Sequence, residues 1–263
     1  MIRHYAPVVT ALTLFAASMG SAQAVTTGDL AFTAFNADED GWSMVTFVDL
    51  APSTTIYFSD NEWNGSAIGA GGAFNANESY TQWNTGASTI AAGSVIRFSA
   101  TDTTSLLASK GTLSRVTVSG SSNWGLANSN ETLYAFTGSS ATAPTSFITA
   151  ITNSDFGSVD GTLGGTGLTA GVNAQRLNLN TPTATPDFGQ YTGVRSGLAS
   201  YGAYKALVAN VKNWTVDTSN GDYAAVVPNT TSFSVTAVPE PGNYAMLLAG
   251  LGMMGLIVRR RTA

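Results

Sequence analysis

The chain has 263 residues, 11 basic and 16 acidic side chains, a formal net charge of −5, one histidine and no cysteine. That histidine, His4, falls in a predicted leader, so the mature chain can build no Cys nucleophile, Ser-His-Asp triad, histidine acid/base or His- or Cys-ligated zinc site. Charged residues are only 10% of the total, while Ser and Thr number 27 and 35, a hydroxyl-rich composition that suits pleated sheet and turns rather than a helical cytosolic enzyme.

At the N-terminus, Met1-Ile-Arg3-His4-Tyr5 leads into an apolar run to Ala17 and an Ala22-Gln-Ala24 exit. This pattern predicts a signal peptide over residues 1–24, cut by signal peptidase after Ala24; the run is shorter than the ~20 residues a spanning helix needs. The body, residues 25–237, is predicted to be all-β. Period-two alternation marks strands at 28–36, 42–50, 54–59, 94–100, 113–119, 132–137, 146–152, 213–217, 223–227 and 232–237, each bounded by turn-forming residues. Many short strands so punctuated indicate a β-sandwich or barrel. Helical spacing over 197–210 predicts one short helix, and the Gly- and Pro-rich stretch 155–193 reads as a long surface excursion. Residues 25–238 keep seven basic and fifteen acidic side chains, so the body repels phosphate backbones and nucleic-acid binding is not expected.

Candidate chemistry lies mostly in turns. Asn36-x-Asp38-x-Asp40-Gly41 matches the opening of a calcium loop, with alternate oxygens toward the ion and a glycine at the sharp turn. The twelfth position is Phe47 rather than a bidentate Glu, so Asn36, Asp38 and Asp40 predict at most a weak site, of order 10⁻⁴–10⁻³ M, against the alternative of a solvated acidic hairpin. Asp60 and Glu62, two apart at a strand end, have the spacing of paired glycosidase carboxylates, but an Asp in that place also caps turn backbone. Ser109-Lys110 is adjacency without a positioned base, and Gly161 to Gly167 lacks the Lys-Ser/Thr of a phosphate loop. Trp42, Trp63, Trp83 and Trp124 sit beside Asn or Gly, which suits either a carbohydrate platform or the sealing of a sandwich rim. Glu62-Trp63-Asn64-Gly65-Ser66 fits an acid-extended N-glycosylation sequon.

Residues 238–263 begin with Val238-Pro239-Glu240-Pro241, continue through an apolar stretch from Tyr244 to Val258, and close on Arg259, Arg260 and Arg261. The prolines hold an extended segment, the apolar stretch predicts a transmembrane helix, and the arginines belong on the cytoplasmic side. The three parts in this order resemble the PEP-CTERM sorting signal of Gram-negative bacteria. The resemblance implies an exosortase as processing partner and a transient anchor in the inner membrane. It also implies delivery to the cell surface or a biofilm matrix, in organisms that make exopolysaccharide. In the body, Gly28-Asp-Leu-Ala-Phe, Thr46-Phe-Val-Asp-Leu50, Ile56-Tyr-Phe-Ser-Asp60-Asn-Glu-Trp63, Ala92-Gly93-Ser-Val-Ile and Asn128-Ser-Asn-Glu131-Thr-Leu-Tyr-Ala-Phe136 resemble the lamin-tail-like domain. That resemblance implies an immunoglobulin-like sandwich without a shared active site. The expectation is an exported, non-enzymatic structural or adhesive protein with no cofactor beyond the weak calcium. The alternatives are a carbohydrate-binding module, with exopolysaccharide as partner, and a carboxylate-based polysaccharide hydrolase.

Overall fold

The computed structural model describes residues 24–76, 78–120, 123–157, 160–180, 185–217, 221–236, 246–254 and 260. In chain order the strands are β1 (Leu30–Asn36), β2 (Gly41–Thr46), β3 (Thr55–Ser59), β4 (Tyr80–Asn84), β5 (Val95–Ser99), β6 (Leu107–Ala108), β7 (Thr112–Arg115), β8 (Thr132–Ser140), β9 (Ala143–Thr152), β10 (Ala174–Arg176), β11 (Phe188–Tyr191) and β12 (Trp214–Val216). A short helix, α1 (Tyr201–Ala209), precedes β12. The strands form two six-stranded sheets, in the orders β12-β11-β1-β2-β5-β6 and β10-β9-β8-β3-β4-β7. Every pairing between them is antiparallel except that of β10 with β9.

The two sheets face each other across one apolar core, the expected sandwich. Phe32, Trp42, Met44 and Phe98 enter it from the first sheet; Ile56, Phe58, Leu133 and Ile151 enter it from the second. Trp42 meets Phe58 edge-on with ring centroids 5.0 Å apart, and Phe58 meets Phe98 at 5.1 Å. In β1 the register shifts between Phe32 and Ala34, so that Phe32 opposes Met44 and Phe35 opposes Trp42. Met44 and Trp42 are two apart on one face, so this bulge turns Phe32 and Phe35 to the same core despite their odd spacing.

The second sheet is covered on its outer side as well. Along β8, Leu133 and Ala135 enter the inner core while Tyr134 and Phe136 enter a second cluster with Trp63, Phe147, Leu168 and Ala174. Its lid consists of two excursions, residues 60–79 and 153–173, which contribute Trp63, Phe74, Leu163 and Leu168. The Trp63 indole N–H donates to the carbonyls of Ser66 (3.1 Å) and Gly164 (3.0 Å), tying the two excursions to each other. At Gly165 the backbone has φ +68° and a Cβ would stand 2.3 Å from the Ser66 carbonyl oxygen, so the close approach requires glycine.

The structure corrects parts of the sequence reading. β4, β6, β10 and β11 were not expected, and β11 is no surface excursion: it lies inside the first sheet between β1 and β12. It is short and follows directly on Pro186 and Asp187, too little sequence for a period to register. Conversely, 223–227 and the described part of 232–237, residues 232–236, are not strands. Their backbone groups find isolated partners instead of a ladder: the Tyr223 N–H meets the Asp38 carboxylate, the Phe233 N–H meets the Gly93 carbonyl, and Val235 forms a single bridge with Leu198. The helix is shorter than 197–210, because the Ser200 hydroxyl accepts the Ala203 N–H and fixes its start.

The strand directions define two ends of the sandwich. At the near end lie Val25, Asp29, α1, the 85–94 loop, Lys110 and the last described residues of the body, 229–236. At the far end lie the 37–40 turn, Asp60, Ser79, the 100–106 loop, Glu131, the exit of β10 and the entries to β11 and β4. The predicted signal peptide apart from Ala24, Pro239-Glu240-Pro241, Arg259 and Arg261 lie outside the described residues. Within the predicted transmembrane stretch, residues 246–254 are helical and mostly exposed, as is Arg260 beyond it; among the described residues no helix is long and apolar enough to cross a membrane.

Candidate functional site

The far end gathers most of the carboxylates, in two groups. In the first, Asp60 follows β3 and Glu131 precedes β8, neighbouring strands in which Ser59 opposes Tyr134. By that register both carboxylates point to the inner side of the second sheet, at the rim of the core. Asp60 is 2% exposed and Glu131 3%. The Asp60 carboxylate accepts the Ser79 N–H at 2.7 Å and the Ser79 hydroxyl at 2.9 Å; Glu131 accepts the Ala127 N–H at 2.8 Å. Burial pushes the Asp60 carboxyl up to about 7, with the Glu78 charge adding to it, and pushes Glu131 well above its usual range, with Asp60 adding. Glu78 itself is raised to about 7 by burial and then by the charge of Glu62.

The pairing of Asp60 with Glu62 that the hydrolase alternative needs does not form. Asp60 is sealed under Ser79, while Glu62 turns to the surface and takes the Asn75 amide. A catalytic pair must both reach the scissile bond, and Asp60 has no open face. The real neighbours of Asp60, Glu78 and Glu131, are distant in sequence, and only the strand register brings them in. Ser109 accepts the Arg97 N–H as part of the sheet edge. Asn64 of the sequon is exposed, but it organises its own loop, donating to Gly71 and accepting from Ser66 and Ala73.

The second group surrounds the 37–40 turn. Asn36 donates to the Tyr223 and Val226 carbonyls and accepts the Glu39 N–H. Asp38 accepts the Tyr223 N–H at 2.8 Å, and Asp40 accepts the Leu126 N–H at 2.6 Å. The three side chains of the calcium expectation are thus each engaged by protein groups, and the turn staples two distant segments to β1. Among the described residues no group of three or more His, Cys, Asp or Glu side chains is placed to hold a metal. Burial raises Asp40 to about 6, against the Leu126 hydrogen bond and with Asp102 and Asp38 adding repulsion. Nearby, Asp187 is also raised to about 6, by burial and then by the Asp217 carboxyl; Tyr223 donates to Asp217 and stacks on Phe188 at 4.5 Å.

The tryptophans belong chiefly to packing. Trp42 and Trp83 are buried in the inner core and Trp63 in the outer one, so none of the three offers a sugar a free ring face. Trp124 is partly exposed, and the Arg115 guanidinium lies 4.5 Å above its ring. A residue that sequence reasoning passed over is Arg195. It is buried, and it holds the final body segment by donating to the carbonyls of Thr231 (2.9 Å) and Tyr191 (3.2 Å) while lying over the rings of Phe233 and Tyr191.

The body's last described backbone contact is the Thr236 N–H on the Leu198 carbonyl, at 2.9 Å. A family model described as the PEP-CTERM protein-sorting motif matches the residues that follow at once, 237–261. No curated protein and no solved structure matches the chain. The motif implies an exported protein, passed to an exosortase after membrane passage.

Proposed function

We propose that the chain is an exported envelope or matrix protein whose β-sandwich serves a structural or adhesive role without catalysis, and whose C-terminal signal an exosortase removes. The observation that carries this reading is the motif over 237–261, which begins where the sandwich's last hydrogen bond ends. At the other end, the predicted cleavage after Ala24 makes Val25, a buried core residue, the first of the mature chain. Both cuts therefore fall at the margins of the folded body and leave its packing whole. The absence of turnover is supported by the composition, which denies the body His and Cys, and by the sealing of Asp60. Cell surface or biofilm matrix is the destination, and an immunoglobulin-like, lamin-tail-like ancestry is the kinship we favour for the body.

Intact-mass measurement of the protein released by its native host tests this reading. The expected species starts at Val25 and lacks residues 244–263. A mature species that keeps those residues overturns exosortase processing in favour of a plain anchor.

A further inference from the structure

The two ends of the sandwich differ in charge as sharply as they differ in position along the chain. The far end holds both carboxylate groups described above, together with Asp102, Asp155 and Asp222; the basic side chains there are Arg97, Arg115 and Arg176, of which Arg97 pairs with Glu39 and Arg176 with Asp155. The near end reverses the balance. Lys110 and Lys212 are exposed, Lys205 is half-exposed, and Arg195 is buried at the same end, against Asp29, which Lys205 pairs at 3.4 Å, and Asp49. Predicted signal-peptide cleavage adds the α-ammonium of Val25 to this end.

The near end is also where the chain leaves for its sorting signal. Thr236 is fixed to Leu198, Phe233 lies among Phe47, Tyr191 and Tyr204, and the Tyr204 hydroxyl donates to the Ser234 carbonyl at 2.7 Å. From Thr236, residues 237–245 lead to the apolar residues 246–254. Even fully extended, that length reaches only about 30 Å. A body tethered so closely meets the membrane surface at a high effective concentration, so weak contacts suffice to orient it. The near end offers apolar contacts as well. Val194 is 56% exposed and Val172 61%, the latter beside a shallow groove lined by Thr27, Gly28, Asn173, Gly202 and Lys205.

From this coincidence of charge, exposed valines and exit point, we propose that the near end is a docking face for an anionic lipid headgroup surface, on which the anchored body stands with its acidic end pointing away. The proposal rests on the sorting-signal reading, which places residues 246–254 in the membrane before processing. Anionic headgroups attract Lys110, Lys205 and Lys212 within a Debye length and repel the far end, so attraction and repulsion turn the body the same way.

The absence of cysteine allows clean single-site labelling. The chain from Val25 to Ala263 is reconstituted into phosphatidylglycerol/phosphatidylcholine vesicles and into phosphatidylcholine vesicles, with a fluorophore on Val194→Cys or on Asp102→Cys. Headgroup spin-labelled lipid then reports proximity by quenching. In the anionic vesicles position 194 is expected to be quenched and position 102 not. The contrast is lost in neutral lipid and in high salt, and in Lys110→Glu/Lys212→Glu the docked fraction falls by about tenfold. Both lysines are exposed and outside the core, so this variant keeps the fold, which an unchanged unfolding midpoint verifies. Equal quenching at the two positions, or a contrast indifferent to lipid charge, overturns the proposal. Failure of the chain to float with vesicles of either kind overturns the anchoring reading and the docking with it, whereas flotation without contrast overturns docking alone.

Discussion

The sandwich has two aromatic cores, and they are built by different means. The inner core lies between the sheets, and most of its residues come from strands paired over long ladders, among them Phe32, Trp42, Ile56, Phe58, Phe98 and Leu133, with the helix and loops adding Phe47, Tyr204, Val208 and Phe233. The outer core lies on the far side of the second sheet, and half of its wall is not sheet at all. Trp63, Phe74, Leu163 and Leu168 come from the excursions 60–79 and 153–173, joined by the Trp63 indole hydrogen bonds. Trp63 meets Phe147 edge-on at 4.9 Å and Phe74 at 5.1 Å, ring contacts as close as those of Trp42 in the inner core. Ring geometry is thus the same in the two cores, and what differs is how the rings are held. A ladder fixes its side chains cooperatively, while a lid of loops can open without unpairing a strand, so local opening is cheapest on the outer side.

The largest expected effect follows from the inner core. Phe58→Ala removes a ring packed against Trp42 and Phe98 and should cost about 3–5 kcal/mol of global stability, read as a lower urea midpoint with an unchanged slope. The second effect acts where the cores meet at the far end. Asp60 and Glu78 near 7, Asp40 and Asp187 near 6, and the raised Glu131 all hold protons in the folded state that the unfolded chain has released. The folded form therefore binds more protons, and stability falls as pH rises from about 4 through about 7, the reverse of a body held by salt-bridged carboxylates; one carboxyl raised by about two units contributes on the order of 3 kcal/mol to that loss. Unfolding midpoints across that range measure it, and Asp60→Asn should flatten the slope. A stability that climbs over this interval refutes the protonated cluster.

Gly165→Ala separates the cores. Its Cβ collides with the Ser66 carbonyl, so the two excursions part, while no ladder of either sheet is touched. The expected cost is about 1–2 kcal/mol globally, with hydrogen exchange quickened over residues 62–75 and 161–168 and unchanged in β1, β2 and β5. If instead the whole body loosens as it does in Phe58→Ala, the two cores form one cooperative unit.

The inner core was legible in the sequence for a physical reason. Strand 54–59 alternates, with Ile56 and Phe58 buried and Thr55 and Tyr57 half-buried, and alternation is what a one-sided sheet face imposes. The outer core was hidden because β8 is buried on both faces, so Leu133-Tyr-Ala-Phe136 reads only as a strand, without showing that Tyr134 and Phe136 need a cover. The cover comes from glycine-rich loops, whose few apolar anchors have no period. The carboxylate groups were half legible: Asp60 and the 37–40 turn stood out, but their partners Glu131, Ser79, Leu126 and Tyr223 are joined to them by strand register over long sequence distances. The sorting signal was fully legible, since its order of prolines, apolar run and arginines is linear and depends on no tertiary contact.

The smallest effect concerns the acidic turn. Asp40→Ala deletes the acceptor of the Leu126 N–H, a charge-assisted bond, and so loosens the loop that leads to Glu131. Two terms oppose each other. The lost bond costs about 1.5–3 kcal/mol in isolation. Removing a carboxylate that burial and the charges of Asp102 and Asp38 disfavour returns part of that, increasingly so above pH 6, where Asp40 is ionised. The net cost should therefore be near 1 kcal/mol at pH 7 and larger at pH 5, where the repulsion relieved by the substitution is smaller. Calcium supplies the contrast. With Asn36, Asp38 and Asp40 engaged by Glu39, Tyr223, Val226 and Leu126, millimolar calcium should move the wild-type midpoint no more than it moves Asp40→Ala, measured against chelator. A calcium-dependent rise in the wild type that Asp40→Ala abolishes would show that the turn gives up its staples for an ion, and that the far end is held by metal as well as by hydrogen bonds.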